Sequence, residues 1–316
     1  MKAYYSTAYG GPEVSHFGDI PDPSAGNGQL LIEVRAVSIN PVDFKVKRGI
    51  AKFMSNPGFP RVFGSDFAGI VKSTGNGVTQ FKPGDRVYGT TPVIWGKPGA
   101  LAQLLAVDQK YARALPPQLS FEEAASLPIA ALTALNGLRR CRVSEGKAVL
   151  INGGTGGVGH FAIQVAKAKG AIVTASCRQV NAVLARKLGA DEIIGYARNE
   201  LAKSGKKFDA ILDAYGKMKI MDACRLLKRG GIYATTQIKP FLFLTSLFVQ
   251  LAYSKKFTSS NMRSRPEDME EMEKLCIDKK LSPVIEHYFT LDHSAEAFEL
   301  AEHGKPRGKI IVRILS

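Results

Sequence analysis

Residues 153–159 read GGTGGVG, five glycines in seven positions. So bare a run is either a flexible loop or a turn pressed against a ligand, and its flanks decide between the two. The apolar run AVLIN (148–152) precedes it, and HFAIQVAKAK (160–169) follows with apolar residues at helical spacing. The glycines therefore close a strand and open a helix, and Gly154-x-Gly156-x-x-Gly159 takes the form of the dinucleotide fingerprint. Glycine permits the tight turn, the close approach to a pyrophosphate and close packing of helix on strand. The amides of Gly157, Val158 and Gly159 then face an anion at a helix N-terminus, where the helix dipole favours it.

The end of the second strand selects the dinucleotide. An NAD site there offers Asp or Glu to the ribose, roughly 20 residues after the first glycine. Here the chain reads TASCRQVN (174–181), with no acid. Ser176 can donate a hydrogen bond and Arg178 can meet a 2′-phosphate through charge-assisted bonds, so the expected cofactor is NADPH.

Outward from the turn, strands and helices alternate. Strands are expected at 148–154, 171–176, 192–196, 208–214, 231–236 and 256–262, with helices at 157–169, 181–189 and around 221–230. Such an alternation gives a parallel sheet covered on both faces. A helix is also expected over 120–138, with Ser120 as N-cap and Glu122 and Glu123 in its first turn. Before it, strands at 29–39, 67–75 and 85–91 are separated by Gly and Pro turns such as FKPGD (81–85), which suits a twisted β-barrel-like domain.

The chain has 316 residues, 45% hydrophobic and 22% charged, the composition of a soluble protein of two domains. Residues 1–11 carry no signal or transit pattern, so the cytoplasm is expected. The run FLFLTSLFVQLAY (241–253) is shorter than the roughly 20 residues of a membrane span. It reads as a buried or pocket-lining helix, or, with Lys255, Lys256 and a net charge of +15, as a membrane-surface patch. Nucleic acid is not expected, because the basic residues are scattered. Four dispersed cysteines read as reduced thiols, and no His or Cys pair has metal-site spacing. His160 and His287 read as packed or solvated side chains.

In order, SINPVDFKVKRG (38–49), FPRVFGSDFAGIV (59–71), FKPGDRVYG (81–89), AASLPIAALTAL (124–135), GGTGGVGHFAIQVAKAKG (153–170) and GKPRGKIIVRI (304–314) resemble the zinc-free quinone oxidoreductase branch of the medium-chain dehydrogenase/reductase superfamily. The likeness extends to plant chloroplast-envelope quinone oxidoreductase homologues and enone/alkenal reductases. It implies a Rossmann-type doubly wound sheet (118–263) inserted into a β-rich, GroES-like catalytic domain (1–117 and 264–316). It also implies a homodimer joined at the edge strand KFTSSNM (256–262), and plastid or other organelle targeting without a cleaved presequence as the alternative to cytoplasm.

The resemblance assigns roles as well. Asn40 stands where zinc-dependent relatives place a Cys ligand, Gly64-Ser65-Asp66 where they have Gly-His-Glu, and residues 91–100 contain no Cys, so no metal is expected. Without a Lewis acid, the chemistry favours acceptors that delocalise charge: quinones and α,β-unsaturated carbonyls. Lys45 matches a Lys of the enone reductases near the nicotinamide ribose and substrate, and is otherwise a surface lysine. Asn40 hydrogen-bonds the substrate carbonyl or ties down its own loop, and Asp43 and Asp66 brace that loop. Tyr196, Asp213, Arg307, Gly308 and Thr133 match cofactor-contacting positions, although Ala214 and Tyr215 depart from the family's loop. The alternatives are an enoyl-thioester reductase, against which Phe44 stands where a Tyr donor is wanted, and an NADPH-binding regulatory protein.

Overall fold

Short apolar runs bounded by Gly or Pro become strands through the first third of the chain. The computed structural model describes residues 1–50, 52–53, 58–195, 198–237, 254–260, 262 and 265–314, with backbone alone at 198, 199 and 202. Two units form by contact, Met1–Ile129 with Ile285–Ser316, and Ala130–Val284. The changeovers expected at 117/118 and 263/264 thus compare with 129/130 and 284/285.

The first unit begins with β1 (Lys2–Ser6), β2 (Ser15–Asp19), β3 (Gln29–Ser38), β4 (Arg61–Val62), β5 (Asp66–Thr74), β6 (Arg86–Thr90), β7 (Leu104–Asp108) and β8 (Ala112–Ala114). Between β3 and β4 lies a helix that the strand-and-turn reading missed, α1 (Pro41–Lys47). Its start is coded by Asn40 at the N-cap, Pro41 at the first position, and Asp43, whose Oδ2 accepts the Asn40 amide at 2.7 Å. Ser120 caps α2 (Phe121–Ser126) in a reciprocal box, accepting the Glu123 amide at 3.1 Å while Glu123 accepts its own at 2.9 Å. The single helix expected over 120–138 is instead two. Pro128 has no N–H to continue α2, so it heads α3 (Pro128–Arg140).

The second unit is a six-stranded parallel sheet in the order β11-β10-β9-β12-β13-β14. These are β9 (Ala148–Asn152), β10 (Ile172–Cys177), β11 (Glu192–Gly195), β12 (Phe208–Asp213), β13 (Leu227–Thr235) and β14 (Lys256–Ser259). The order reverses between β9 and β12, the switch point at which doubly wound sheets bind ligands. Helices α4 (Gly159–Ala168) and α5 (Ala182–Lys187) follow β9 and β10, whereas α6 (Arg198–Lys203) and α7 (Ile220–Leu226) belong to connections running the other way. Right-handed crossovers therefore place the two pairs on opposite faces. The next helix, α8 (Pro266–Ile277), joins this unit because Arg139 of α3 pairs with Asp268 and Glu271, and Lys169 reaches Glu271 at 2.7 Å.

The chain then returns to the first unit through β15 (Ile285–Thr290), α9 (Ser294–His303) and β16 (Lys309–Arg313). The seven-stranded sheet runs β15-β16-β3-β5-β6-β8, with β7 also on β3, and a smaller sheet runs β2-β1-β4. Its core combines Leu30, Ile32, Phe63, Phe67 and Leu101 with Phe298, Ile310 and Val312 from the returning segment. No described helix is long and apolar enough to cross a membrane. The apolar stretch 241–253 lies outside the described residues.

Candidate active site

The parallel register aligns Ser176, Asn152 and Asp213 across the ends of β10, β9 and β12. Their side chains form one hydrogen-bonded line. Ser176 Oγ donates to Asn152 Oδ1 at 2.6 Å, and Asn152 Nδ2 donates to Asp213 Oδ1 at 2.7 Å. The line supports the loops at both sides of the switch point. Ser176 accepts the Gly153 amide, and Asp213 accepts the amides of Gly216 and Met218 and the hydroxyl of Tyr233, the last at 2.9 Å. Burial and the adjacent Asp213 carboxylate hold the Tyr233 phenol above its ordinary pKa, so it stays a donor.

On this base the glycines sit tightly. Gly153 has φ +81°, and a Cβ there would lie 3.0 Å from Tyr215 Cβ. A Cβ on Gly159 would lie 2.0 Å from the Gly153 carbonyl oxygen, so the third glycine is what lets α4 start against the turn. Thr155 is fixed by Asn181 Nδ2 at 3.1 Å, both buried. Among the described residues no backbone carbonyl takes the amides of Gly157, Val158 or Gly159. Those open donors at the head of α4 are of the kind that an anion accepts from.

The other expected cofactor contacts divide. Arg178 is exposed just after β10. Ser176 is fully buried with its hydroxyl hydrogen on Asn152, which turns it inward rather than toward a 2′-phosphate. Asp213 is likewise buried and accepts four protein hydrogen bonds, so it positions the loop rather than meeting a ligand itself. Thr133 is buried on α3, where its carbonyl accepts Ser260 Oγ at 2.7 Å. Tyr196 lies outside the described residues. In the first unit, Arg307 is exposed and paired with Glu286 of β15, next to Gly308 in a left-handed turn of φ 61°.

The first unit holds a buried polar cluster around the start of α1. Asn40 Nδ2 donates to Ser38 O at 3.1 Å and Asp66 Oδ2 at 2.9 Å, and its Oδ1 accepts Lys309 Nζ at 2.7 Å. Both amide hydrogens are thus engaged. Of the two readings of Asn40, these bonds describe the brace, not a donor to a substrate carbonyl. Ser65 donates to Asp43, and Asp66 also accepts the Ile129 amide at 3.1 Å. Burial pushes the Asp43 carboxyl up to about 7, against the hydrogen bond from Ser65. It pushes Asp66 up to about 6, less far because the Lys309 ammonium opposes it. Burial lowers the Lys309 pKa, and the two carboxylates oppose that shift. Lys45, on the same helix, is exposed. Sequence reasoning missed Asn152, Tyr233 and Lys309. The only signal for the first is a polar residue closing an apolar strand directly before the fingerprint.

Comparison with known proteins agrees with this layout. Residues 26–117 match the alcohol dehydrogenase GroES-like domain, and residues 188–312 match the family described as zinc-binding dehydrogenase. The chain is 34% identical to the chloroplastic quinone-oxidoreductase QR1 of Triphysaria versicolor, over 99% of this chain and 98% of that one. It is 33% identical to 2-methylene-furan-3-one reductase of Solanum lycopersicum, over 99% and 79%. The solved quinone oxidoreductase from Coxiella burnetii superposes with a TM-score of 0.90 at 30% identity, covering 100% of this chain and 99% of that one.

The second family's description raises the question of zinc. At the positions of Asn40, Ser65 and Asp66 the donor set is an amide, a hydroxyl and one carboxylate, hydrogen-bonded within a cluster that already contains the Lys309 ammonium. That set does not fit a tetrahedral Cys/His/carboxylate site. Among the described residues no group of three His, Cys, Asp or Glu could hold a metal ion.

Two outcomes are expected. Gly159→Ala forces a methyl against the Gly153 carbonyl, and overpacking of this kind costs about 1–3 kcal/mol. Calorimetry should show a lower Tm, and an unchanged one would mean that the helix can retreat freely from the turn. Second, because the Asp43 pKa is raised on folding, its contribution to stability is complete below the unfolded carboxylate pKa and is lost as pH rises through about 7. The urea midpoint should therefore fall between about pH 4 and pH 7 and level off above, and Asp43→Asn should flatten the decline. Parallel curves for the two proteins would contradict the assignment.

Proposed function

The chain belongs to the medium-chain dehydrogenase/reductase superfamily and is an oxidoreductase working with a nicotinamide cofactor on a small molecule; from that premise we propose that it is an NADPH-dependent, zinc-independent reductase of quinones or α,β-unsaturated carbonyls. The observation that carries the reading is the Asn40–Asp66–Lys309 cluster, whose polar groups are engaged with one another where zinc-dependent relatives hold their metal. A carbonyl oxygen then has no Lewis acid to take its charge, and acceptors that spread charge through conjugation are the ones such a protein can reduce. Relatives named quinone oxidoreductase and 2-methylene-furan-3-one reductase support the same class.

When bound, the nicotinamide supplies the hydride. The protein's part is to hold and orient. The amides of Gly157, Val158 and Gly159 would take the pyrophosphate, and Arg178 the 2′-phosphate that distinguishes NADPH. Lys45 would donate to the enolate or phenolate oxygen as charge develops there, and a proton can leave its ammonium for the product. Asn40, Asp43 and Lys309 would keep the helix bearing Lys45 in place. Among the described residues β14 has no outer neighbour, and that edge is where a second copy would extend the sheet. Cytoplasm stays the proposed compartment. The chloroplast and mitochondrion in relatives' names supply the alternative, decided by fractionation.

The direct test is NADPH oxidation followed by absorbance with quinone, enone and enoyl-thioester panels. Turnover is expected with the first two. Tight NADPH binding without turnover on any panel would make the chain a binding protein instead. Arg178→Asp should weaken NADPH by about tenfold or more, the worth of a charge-assisted contact, and leave NADH nearly unchanged. Equal losses for both cofactors would remove Arg178 from the 2′-phosphate site. Lys45→Ala should lower kcat with enones by about a hundredfold, the scale of general acid catalysis. Wild-type kinetics would return Lys45 to the surface lysines.

A further inference from the structure

The cofactor fold leaves one cavity of the second unit unexplained. It has a volume of about 430 Å³, within the range of small-molecule sites, and lies between α6 and α7. That is the face opposite α4 and α5, by the handedness of the crossovers. Its depth is apolar, with Leu201, Met218 and Leu226 all buried. Its rim carries Lys206, Lys207, Lys217, Lys219 and Arg225 against one carboxylate, Asp222.

The chemistry of the lining narrows the occupant. A small hydrated anion gains nothing from an apolar floor. A nucleotide base needs several polar partners, and among the described lining residues the one buried polar side chain is Asn152, with one amide hydrogen already on Asp213 and its oxygen on Ser176. Several rim cations have partners: Lys206 pairs with Glu192, Lys207 donates to the Arg225 carbonyl, and Lys217 lies over the Tyr215 ring at 5.1 Å. Among the described residues no ion pair or hydrogen bond engages the side chains of Lys219 and Arg225. They flank α7, one at its N-cap and one in its last turn. Like charges gathered around a low-dielectric hollow concentrate a positive field there. The lining spans the height of the sheet, from Tyr215 beyond the end of β12 to Lys207 before its start. A strand of 6 residues is about 20 Å long, room for an extended chain.

We propose that this cavity is a binding site for a long-chain carboxylate, its alkyl chain on Leu201, Met218 and Leu226 and its head group held by Lys219 or Arg225. Asn152 and Tyr215 at one end of the cavity adjoin the glycine turn, but the residues assigned here to the alkyl chain and the head group do not belong to it, and the proposal stands whether or not the chain reduces quinones.

The test is calorimetric titration of the full chain with dodecanoate below its micelle concentration, with and without saturating NADPH. One saturable site is expected, unaffected by NADPH, with dodecan-1-ol weaker by about tenfold, the scale of one lost charge contact. Lys219→Glu with Arg225→Glu changes exposed residues only and should weaken dodecanoate by at least about tenfold while NADPH oxidation is unchanged. Leu201→Trp, which fills the cavity, should abolish binding. No saturable binding, equal affinity for the alcohol, unaltered binding in the charge-reversed variant, or displacement of dodecanoate by NADPH would each overturn the proposal. None of these binding readouts requires turnover, so failure here is distinct from failure of the reductase reading.

Discussion

The second unit depends on a line of three buried side chains, Ser176, Asn152 and Asp213, that crosses the sheet at its switch point. The ends of parallel strands leave backbone amides and carbonyls without ladder partners, and here two loops must meet in that gap. Asp213 resolves most of it by accepting from two loop amides and from Tyr233. With that carboxylate saturated, the loop after β12 is fixed, and Tyr215 stands close enough to crowd a side chain at Gly153, where the positive φ already favours glycine. The glycine turn is thus shaped from below as well as by its own sequence. Its outward amides stay open because its inward ones are already satisfied.

The first unit applies a related constraint with charge. Two carboxylates and an ammonium are buried around the start of α1, and each would be expensive alone. Lys309 arrives with the returning segment, so a residue from the far end of the chain neutralises a cluster built near its beginning. Removing either contributor would leave a buried charge or an unpaired amide. That interdependence specifies which strand β16 joins more strictly than its apolar residues could, since Ile310, Ile311 and Val312 would suit many registers.

Much of this was legible in the sequence, because the informative features are periodic or local. The parallel strands and the Ser120 cap follow from short-range patterns, whereas the edge position of β14 came from the family resemblance. Other features were hidden for physical reasons. α1 is short and its apolar spacing brief, so no period marks NPVDFK as helical, and its start rests on the Asp43 carboxylate accepting the Asn40 amide. Pro128 lies within an otherwise continuous helical pattern, and spacing alone does not report its missing N–H. Ser176 and Asp213 stand at strand ends as expected, yet their partners come from neighbouring strands, and whether a hydroxyl or carboxylate turns inward depends on sheet register rather than on sequence distance.

The same distinction separates ligand contacts from the groups that position them. Asn40, Ser176 and Asp213 are polar residues at functional-looking positions, and each has its hydrogen-bonding capacity taken up inside its own unit. Lys45 remains exposed, and among the described residues the amides of Gly157, Val158 and Gly159 meet no backbone carbonyl. Ligands compete only for groups that folding has not already satisfied. By that criterion the proposed ligand contacts are Lys45 and the open amides of the turn, and the buried acids position the elements that carry them. Lys219 and Arg225 meet the same criterion beside α7, which makes the cavity between α6 and α7 a place where the second unit leaves positive charge beside an apolar hollow.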